Sequence, residues 1–252
     1  MGRVQDKVAL VTGGASGVGW ATAQLLLEEG AFVAISDINA EAGQALADAC
    51  GERAMFVRHD VASETDWRDA LQAVQQRFGP LDVLINNAGI LIPGSIETGT
   101  LAQFRQLMQV NTDSCFIGCQ QGVAAMKARG GSIVNMASVS SWLPIENYAG
   151  YSARKAAVAA LTRAVALYCR KNGHAVRVNS LHPDGIYTPM MQATAPGVPA
   201  HYLLFDPKTN PKGRACLPEH IAKVLLFLAS DDSQAISGAE IRADSAILGM
   251  GL

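Results

Sequence analysis

The chain has 252 residues, and 20 Lys and Arg against 22 Asp and Glu leave a net charge of −2. That near-balance argues against a nucleic-acid partner, which calls for a basic face or stripe. An apolar share of 49% with only 17% charged residues excludes a disordered chain and suffices for a large core.

Met1 to Lys7 carries no signal-peptide pattern and leads straight into a strand-like run. The predicted strands are Val8 to Val11, Phe32 to Ile35, Met55 to Val57, Val83 to Ile85, Ile133 to Met136, Val176 to Leu181 and Glu240 to Ala243. Between them lie helical patterns over Val18 to Glu29, Ala40 to Cys50, Glu64 to Phe78, Leu101 to Lys127, Ala149 to Lys171 and Pro218 to Ala229. Near-continuous apolar strands alternating with helices predict a Rossmann-type doubly wound α/β fold. Its seven-stranded parallel sheet would sit between two helical layers in a single domain. Nine residues follow the last strand, too few for a second domain. The most apolar helical stretch, Ala156 to Leu167, is too short for a membrane span and is interrupted by Thr162 and Arg163. The five cysteines form no Cys-x-x-Cys motif, which fits reduced thiols in a cytoplasmic protein. Cys115 and Cys119, one helical turn apart, read as shared packing. One stretch breaks the rhythm: Tyr187 to Leu217 holds Pro189, Pro196, Pro199, Pro207 and Pro211 with little periodicity. An insertion of that length in a compact domain reads as a lid or binding loop over 187–217.

The first strand runs into Thr12-Gly13-Gly14-Ala15-Ser16-Gly17-Val18-Gly19, followed by a helix. Glycines there permit a tight turn and a close backbone approach to a pyrophosphate, and the helix N-terminus offers free N–H groups. The second strand leads to Asp37, placed to accept from the adenosine ribose hydroxyls. From Gly13 to Ala49 there is no Lys or Arg to meet a 2′-phosphate, which favours NAD over NADP.

Tyr151 and Lys155 are four residues apart in a helical pattern and so share a face. Ser138 follows a strand at its carboxyl end, where open α/β sheets bind ligands. Asn111 interrupts a helical run, for which its amide is poorly suited. Of the histidines, His59 and His182 fall at strand ends and His201 in the insertion. None forms a metal-ligand pair at helical spacing.

Taken together, Thr12-Gly13-x3-Gly17-x-Gly19, Asp60, Asn86-Asn87-Ala88-Gly89, Asn111, Ser138, Tyr151-x3-Lys155, and Pro183 with Thr188 resemble the short-chain dehydrogenase/reductase family over nearly the whole chain. The resemblance implies a dinucleotide held by Gly13, Ser16, Gly17, Val18, Gly19, Asp37 and Ile38. Asp60 and Val61 would contact the adenine, and Asn87, Ala88 and Gly89 would line the cofactor. Pro183, Gly185, Ile186 and Thr188 would meet the nicotinamide. It further implies hydride transfer between a substrate carbon and NAD. Tyr151 would be the general acid/base, and Lys155 would tune it and hold the ribose. Ser138 would orient the substrate oxygen, and Asn111 would support a proton-relaying water. A free phenol has a pKa of about 10, and a nearby ammonium lowers such a value by roughly 1–3 units.

Two positions depart from the family pattern. Arg154 stands where a small residue is common. Since successive helix residues do not share a face, it is expected to point away from Tyr151, toward solvent or a subunit interface. Asp184 is inserted between Pro183 and Gly185. The runs at 137–144, 182–191 and 247–252 resemble the bacterial 3β/17β-hydroxysteroid dehydrogenases of the family. Trp142, Leu143, Tyr187, Met190 and Met191 would form an apolar wall beside Ser138 and Tyr151, suited to a steroid. The alternatives are a broad carbonyl reductase for bulky ketones and a catalytically idle dinucleotide-binding scaffold. Family habit implies a homotetramer or homodimer, with Leu101 to Lys127 and Ala149 to Lys171 as candidate interfaces.

Overall fold

The computed structural model describes residues 2–249. Its strands, in chain order, are β1 (Val8–Thr12), β2 (Phe32–Asp37), β3 (Ala54–Arg58), β4 (Val83–Asn86), β5 (Gly131–Met136), β6 (Val176–Pro183), β7 (Gly185–Ile186), β8 (Ala215–Cys216) and β9 (Glu240–Ala243). All but the short β7 and β8 join one seven-stranded sheet of order β3-β2-β1-β4-β5-β6-β9, in which every neighbouring pair is parallel. The helices are α1 (Gly17–Glu28), α2 (Ala40–Ala49), α3 (Glu64–Phe78), α4 (Leu101–Met108), α5 (Ser114–Met126), α6 (Ala149–Lys171), α7 (Pro189–Thr194), α8 (Ala200–Leu203) and α9 (Pro218–Ala229). With α7 and α8 set aside, they complete the predicted βαβ series. Strand order reverses between β1 and β4, which opens a crevice at their carboxyl ends.

Val, Ile, Leu and Ala fill the strands because both faces are covered. On one face Val18, Ala23 and Leu26 of α1 and Ile221, Leu225 and Leu228 of α9 pack around Ala9, Val11, Val33 and Ile35. On the other face Trp67 and Val74 of α3, Cys119 and Val123 of α5, and Val158 and Ala166 of α6 enclose Leu10, Leu84, Ile133 and Val178. Cys115 and Cys119 are free and buried in this second core, as packing residues would be. A polar seam crosses it: Asn86 Nδ2 donates to Asn135 Oδ1 at 2.8 Å, and Asn135 Nδ2 donates to Thr162 Oγ1 at 2.9 Å. That seam ties β4 and β5 to α6.

Two expectations are refined. The predicted helix from Leu101 to Lys127 is not continuous: a π turn over Gln109–Asp113 separates α4 from α5. There Asn111 Nδ2 donates to the Leu107 carbonyl and Ser114 Oγ to the Val110 carbonyl, so side chains compete with the backbone ladder and widen the turn. The stretch 187–217 is more ordered than its prolines suggest. It holds α7 and α8, and its ends are joined by the pairing of β7 with β8. Asn210 Nδ2 reaches the carbonyls of His201, Tyr202 and Leu204 at 3.0, 3.2 and 2.9 Å. Asp184, the inserted residue, forms a two-pronged pair with Arg214, both contacts 2.9 Å, across the root of this segment. Among the described residues no helix is long and apolar enough to cross a membrane. Met250, Gly251 and Leu252, part of the C-terminal run read from sequence, lie outside the described residues.

Candidate active site

The glycine turn occupies the crevice between β1 and β4. Gly13 adopts φ 63°, and a side chain there would press on Ala88 Cα at 2.8 Å. A Cβ on Gly19 would collide with the Gly13 carbonyl, so α1 begins as close to the strand end as the backbone allows. Ser16 caps α1 in extended conformation without a side-chain bond to the helix, so the first turn's N–H groups have no side-chain partner from the cap. A pyrophosphate fits this cradle, since glycines leave it unfilled and the helix dipole favours an anion. Gly17 faces the root of the 187–217 segment: a Cβ on it would lie 3.2 Å from Thr188 Cγ2. Thr188 itself caps α7.

The Thr12 hydroxyl locks this turn to β4. It donates to Ile85 O at 3.3 Å and accepts from the Asn87 and Ala88 N–H groups at 3.0 and 3.1 Å. Asn87 Nδ2 donates to the carbonyls of Thr12 and Gly13. Asp37 sits at the end of β2, where its carboxylate accepts from Ala15 N at 3.1 Å and Asn39 N at 3.0 Å. Ile38 beside it is exposed. The absence of basic residues from Gly13 to Ala49 is not the whole environment of Asp37. Arg58 of β3 is its register partner, although the Arg58 guanidinium lies 3.9 Å from Asp66. Asp60 is exposed and accepts from Ala62 N, whereas Val61 is buried, its carbonyl taken by Trp67 Nε1 at 2.9 Å.

The Asn87–Ile90 loop leads from this cradle to α6. Asn111 Oδ1 accepts from Ile90 N at 2.8 Å, and a Cβ at position 89 would lie 2.4 Å from that oxygen, so only glycine fits there. With Nδ2 on Leu107 O, the Asn111 amide is engaged by backbone at both ends. Asn111, Ser114, Cys115, Met136 and Val158 line a void of about 10 Å³, roughly the scale of one water probe. Lys155, on α6, is 8% exposed and donates its ammonium to the Met136 carbonyl at the carboxyl end of β5. Burial first, and the adjacent Arg154 charge second, push Lys155 well below the usual lysine range, with Cys115 acting in the opposite sense. Tyr151, one turn earlier and partly buried, has Lys155 Nζ 5.8 Å from its ring centre.

Ser138 follows β5 and starts a 3-10 turn over Val139–Ser141. Its hydroxyl accepts from Ser140 N at 3.2 Å, and its O–H proton has no acceptor among the described residues. The expectation that Arg154 points away from Tyr151 is overturned. Arg154 is 1% exposed, and its guanidinium lies over the Tyr151 ring, 3.9 Å from the centroid. The relevant geometry is the i, i+3 spacing of 151 and 154. Helical side chains lean toward the N-terminus and cover the preceding turn. Arg154 Nη2 donates to Ile90 O at 2.9 Å, while Nε and Nη1 are buried without partners.

One functional candidate escaped the sequence reading. His182, fully buried at the end of β6, bonds the Ser138 carbonyl through Nδ1 at 3.0 Å and Ser180 Oγ through Nε2 at 2.8 Å. Trp142 stacks on its ring at 4.2 Å. Desolvation lowers the His182 pKa to about 4, the Ser138 carbonyl opposing and Lys155 and Arg163 reinforcing. The ring is therefore neutral near pH 7. Since a carbonyl only accepts, Nδ1 carries the proton and Nε2 accepts from Ser180. A strand-end histidine gives no sequence hint of this role, because Ser138 and Trp142 come from the turn after β5 and only Ser180 lies on its own strand. Of the expected apolar wall, Trp142 joins the Ser138 cluster and Leu143 follows it. Tyr187, Met190 and Met191 belong to the root of the 187–217 segment, where Met191 Cε approaches Gly185. Pro183, Gly185 and Ile186 connect that root to β6.

A family model described as enoyl-(acyl carrier protein) reductase matches residues 13–246. The chain is 67% identical over 251 residues to a 3-beta-hydroxysteroid dehydrogenase of Comamonas testosteroni, covering 99% of both proteins. It is 35% identical to an NADP-dependent (R)-specific alcohol dehydrogenase of Lentilactobacillus kefiri, covering 96% of both. It is 38% identical to a 3-alpha-(or 20-beta)-hydroxysteroid dehydrogenase of Mycobacterium bovis, covering 96% of this chain and 90% of that protein.

The histidine geometry has a measurable consequence. As pH falls from about 6.5 toward about 4, the unfolded chain binds protons that folded His182 and His59 refuse, so stability should decline across that window. Long-range imidazole nitrogen–proton spectra should show His182 neutral with the proton on Nδ1 at about pH 6. A doubly protonated ring there would contradict the assignment.

Proposed function

This chain belongs to the short-chain dehydrogenase/reductase family and is an oxidoreductase of alcohols and ketones; we propose that it interconverts hydroxysteroids and ketosteroids at the 3β and 17β positions with NAD. The observation that carries the catalytic reading is the anchoring of Lys155 on the Met136 carbonyl, two residues before Ser138, with Tyr151 one helical turn earlier. That arrangement would bring an acid–base phenol, a cation and a free hydroxyl proton to one strand end, beside the glycine cradle.

The residues would divide the work as follows. Gly13, Ser16, Gly17, Val18 and Gly19 hold the pyrophosphate, and Asp37 and Ile38 the adenosine ribose and its surroundings. Asp60 and Val61 flank the adenine, while Asn87, Ala88, Gly89, Pro183, Gly185, Ile186 and Thr188 line the rest of the dinucleotide site. When bound, the nicotinamide supplies a hydride acceptor or donor. In alcohol oxidation the Tyr151 oxygen takes the substrate hydroxyl proton, and in ketone reduction it returns one. Ser138 turns its O–H toward the substrate oxygen and stabilises negative charge there. Lys155 binds ribose hydroxyls and stabilises the phenol oxygen when that oxygen carries charge. Asn111 holds the 87–90 loop through Ile90 and the α4 end through Leu107, and so fixes one wall of the small void it shares with Cys115 and Met136, where a relay water would fit. His182 holds the Ser138 carbonyl and the Trp142 ring in place.

The steroid assignment is supported by likeness to the Comamonas protein, and Trp142, Leu143, Tyr187, Met190 and Met191 would supply the apolar wall it calls for. A rigid apolar skeleton suits such lining, and the 187–217 segment would close over it as a lid. With 3β- and 17β-hydroxysteroids, NADH formation should exceed that with small aromatic alcohols, and Tyr151→Phe should abolish it while dinucleotide binding persists. Near-normal turnover in that variant would refute the role of the phenol. No turnover of any alcohol by the parent protein would leave the idle scaffold instead.

NAD is favoured by the Asp37 carboxylate, which Ala15 and Asn39 hold at the end of β2. A 2′-phosphate placed there would meet that negative charge. Replacing Asp37 with Ala and Ile38 with Arg should move preference toward NADP by at least about tenfold, since one charge contact is worth about 1.4 kcal/mol or more. Unchanged preference in competition kinetics would contradict the assignment. Assembly as a homotetramer or homodimer through α4–α5 and α6 is supported by exposed Phe104, Phe116, Leu167 and Tyr168 on those helices. Sedimentation equilibrium should return a multiple of 26.5 kDa, and a monomer at micromolar concentration would rule this out.

A further inference from the structure

We propose that Arg154 is a positioning residue for the acid–base chemistry of Tyr151, a second cation that fixes the ring and stabilises negative charge forming on its oxygen. The inference rests on the reading of Tyr151 as general acid/base. Three observations carry it. The guanidinium carbon lies 3.9 Å from the ring centre, nearer than the Lys155 ammonium at 5.8 Å. The side chain is 1% exposed, so little solvent screens its charge. It makes one hydrogen bond, to Ile90 O, with Nε and Nη1 unpartnered, and no carboxylate among the described residues pairs with it.

A buried, unpaired guanidinium is expensive to keep. It is retained here against the face of the one aromatic ring whose oxygen must bear charge during turnover. The two cations also differ in kind. A guanidinium stays protonated in proteins, whereas a lysine in the same apolar setting gives up its proton more readily. Burial pushes both groups down, Arg154 to about 10 and Lys155 well below the usual lysine range, and the Arg154 charge itself adds to the pressure on Lys155. Arg154 is thus the standing charge beneath Tyr151, and Lys155 is relieved of sole responsibility for it.

The other ionisable groups around this pair do not take that place. On α5, Cys115 and Cys119 are buried thiols, Cys115 acting on Lys155. From β6, His182 is neutral near pH 7, and Glu240 of β9, 3.8 Å from it, is engaged by Arg163. Arg105 of α4 and Asp113 of the π turn are exposed, and β5 and the 3-10 turn contribute no titratable side chain. The proton balance is simple: the phenolate form of Tyr151 receives the alcohol proton, and Arg154 exchanges none.

The test separates charge from shape. Arg154→Met keeps much of the side-chain bulk and removes the charge, Arg154→Lys keeps a cation that releases its proton more readily, and Arg154→Ser serves should the methionine variant fail to fold. For alcohol oxidation the acid limb of the kcat profile should move up by about one pH unit in Arg154→Met, with about tenfold lower kcat near neutrality and little change in KM. Arg154→Lys, whose ammonium holds its proton less firmly in that setting, should restore only part of the parental profile. A parental limb in the uncharged variants would overturn the proposal. A second readout needs no turnover. Near-ultraviolet titration, differenced against Tyr151→Phe, should show the Tyr151 phenolate band appearing at higher pH in Arg154→Met. If that band does not move, the Arg154 inference fails. If it moves while Tyr151→Phe retains turnover, only the acid/base reading of Tyr151 fails.

Discussion

The Thr12 hydroxyl holds the point on which the site depends. The sheet reverses its strand order between β1 and β4, and only there do two strand ends diverge enough to leave a crevice. One side-chain oxygen spans that gap, accepting from Asn87 and Ala88 and donating to Ile85. Without it the Ala88 N–H leaving β4 would have no partner among the described residues, while the Asn87 N–H also donates to the Ile85 carbonyl at 3.0 Å. The glycine turn can then approach the 87–89 loop to contact distance, which is why Gly13 has no room for a side chain. Cradle and loop become one rigid body.

Rigidity is passed on through hydrogen bonds from loop to helix. Ile90 donates to Asn111, whose amide also holds the last turn of α4, and Ile90 accepts from Arg154 on α6. From the sheet side, Met136 receives Lys155, and Asn135 bonds Thr162 two turns further along α6. The first turns of α6 are thus fixed at both the β4 loop and the β5 end. A phenol used for proton transfer tolerates little displacement, because proton transfer demands heavy-atom separations of about 2.6–3.2 Å. Buried polar ties of this kind carry more directional information than an equal area of apolar contact.

What is legible in the sequence is what periodicity and short-range spacing encode. Strands buried on both faces read as apolar runs, and the Tyr151–Lys155 spacing places both on α6 whatever surrounds them. All the departures but Arg154 concern partners brought from elsewhere in the chain. Asp37 reads as free of basic company along 13–49, yet strand pairing sets Arg58 beside it. His182 reads as an ordinary strand end, and its partners come from Ser180, Ser138 and Trp142. Asn111 is recognisable as a poor helix residue, but its π turn follows only from an amide that meets Ile90 as well as Leu107. Arg154 is misplaced by comparison with Lys155, its neighbour, when a long side chain leans back over the residue three positions earlier.

The 187–217 segment shows how the same scaffold can carry a movable part. Its two ends leave the body side by side, because Gly185 and Ile186 pair with Ala215 and Cys216. The Asp184–Arg214 pair reinforces the junction, but the Arg214 side chain is half exposed, and ion pairs in that setting contribute about 0–1 kcal/mol. The backbone pairing therefore does most of the fastening. Beyond it, the segment has internal bonds centred on Asn210, and Met190, Val198, Tyr202 and Phe205 remain exposed. Few buried contacts beyond a fixed root give a segment a low cost of local displacement. Thr188, which faces Gly17 across the cradle, lies at that root, so a ligand binding between them would bear on the hinge directly.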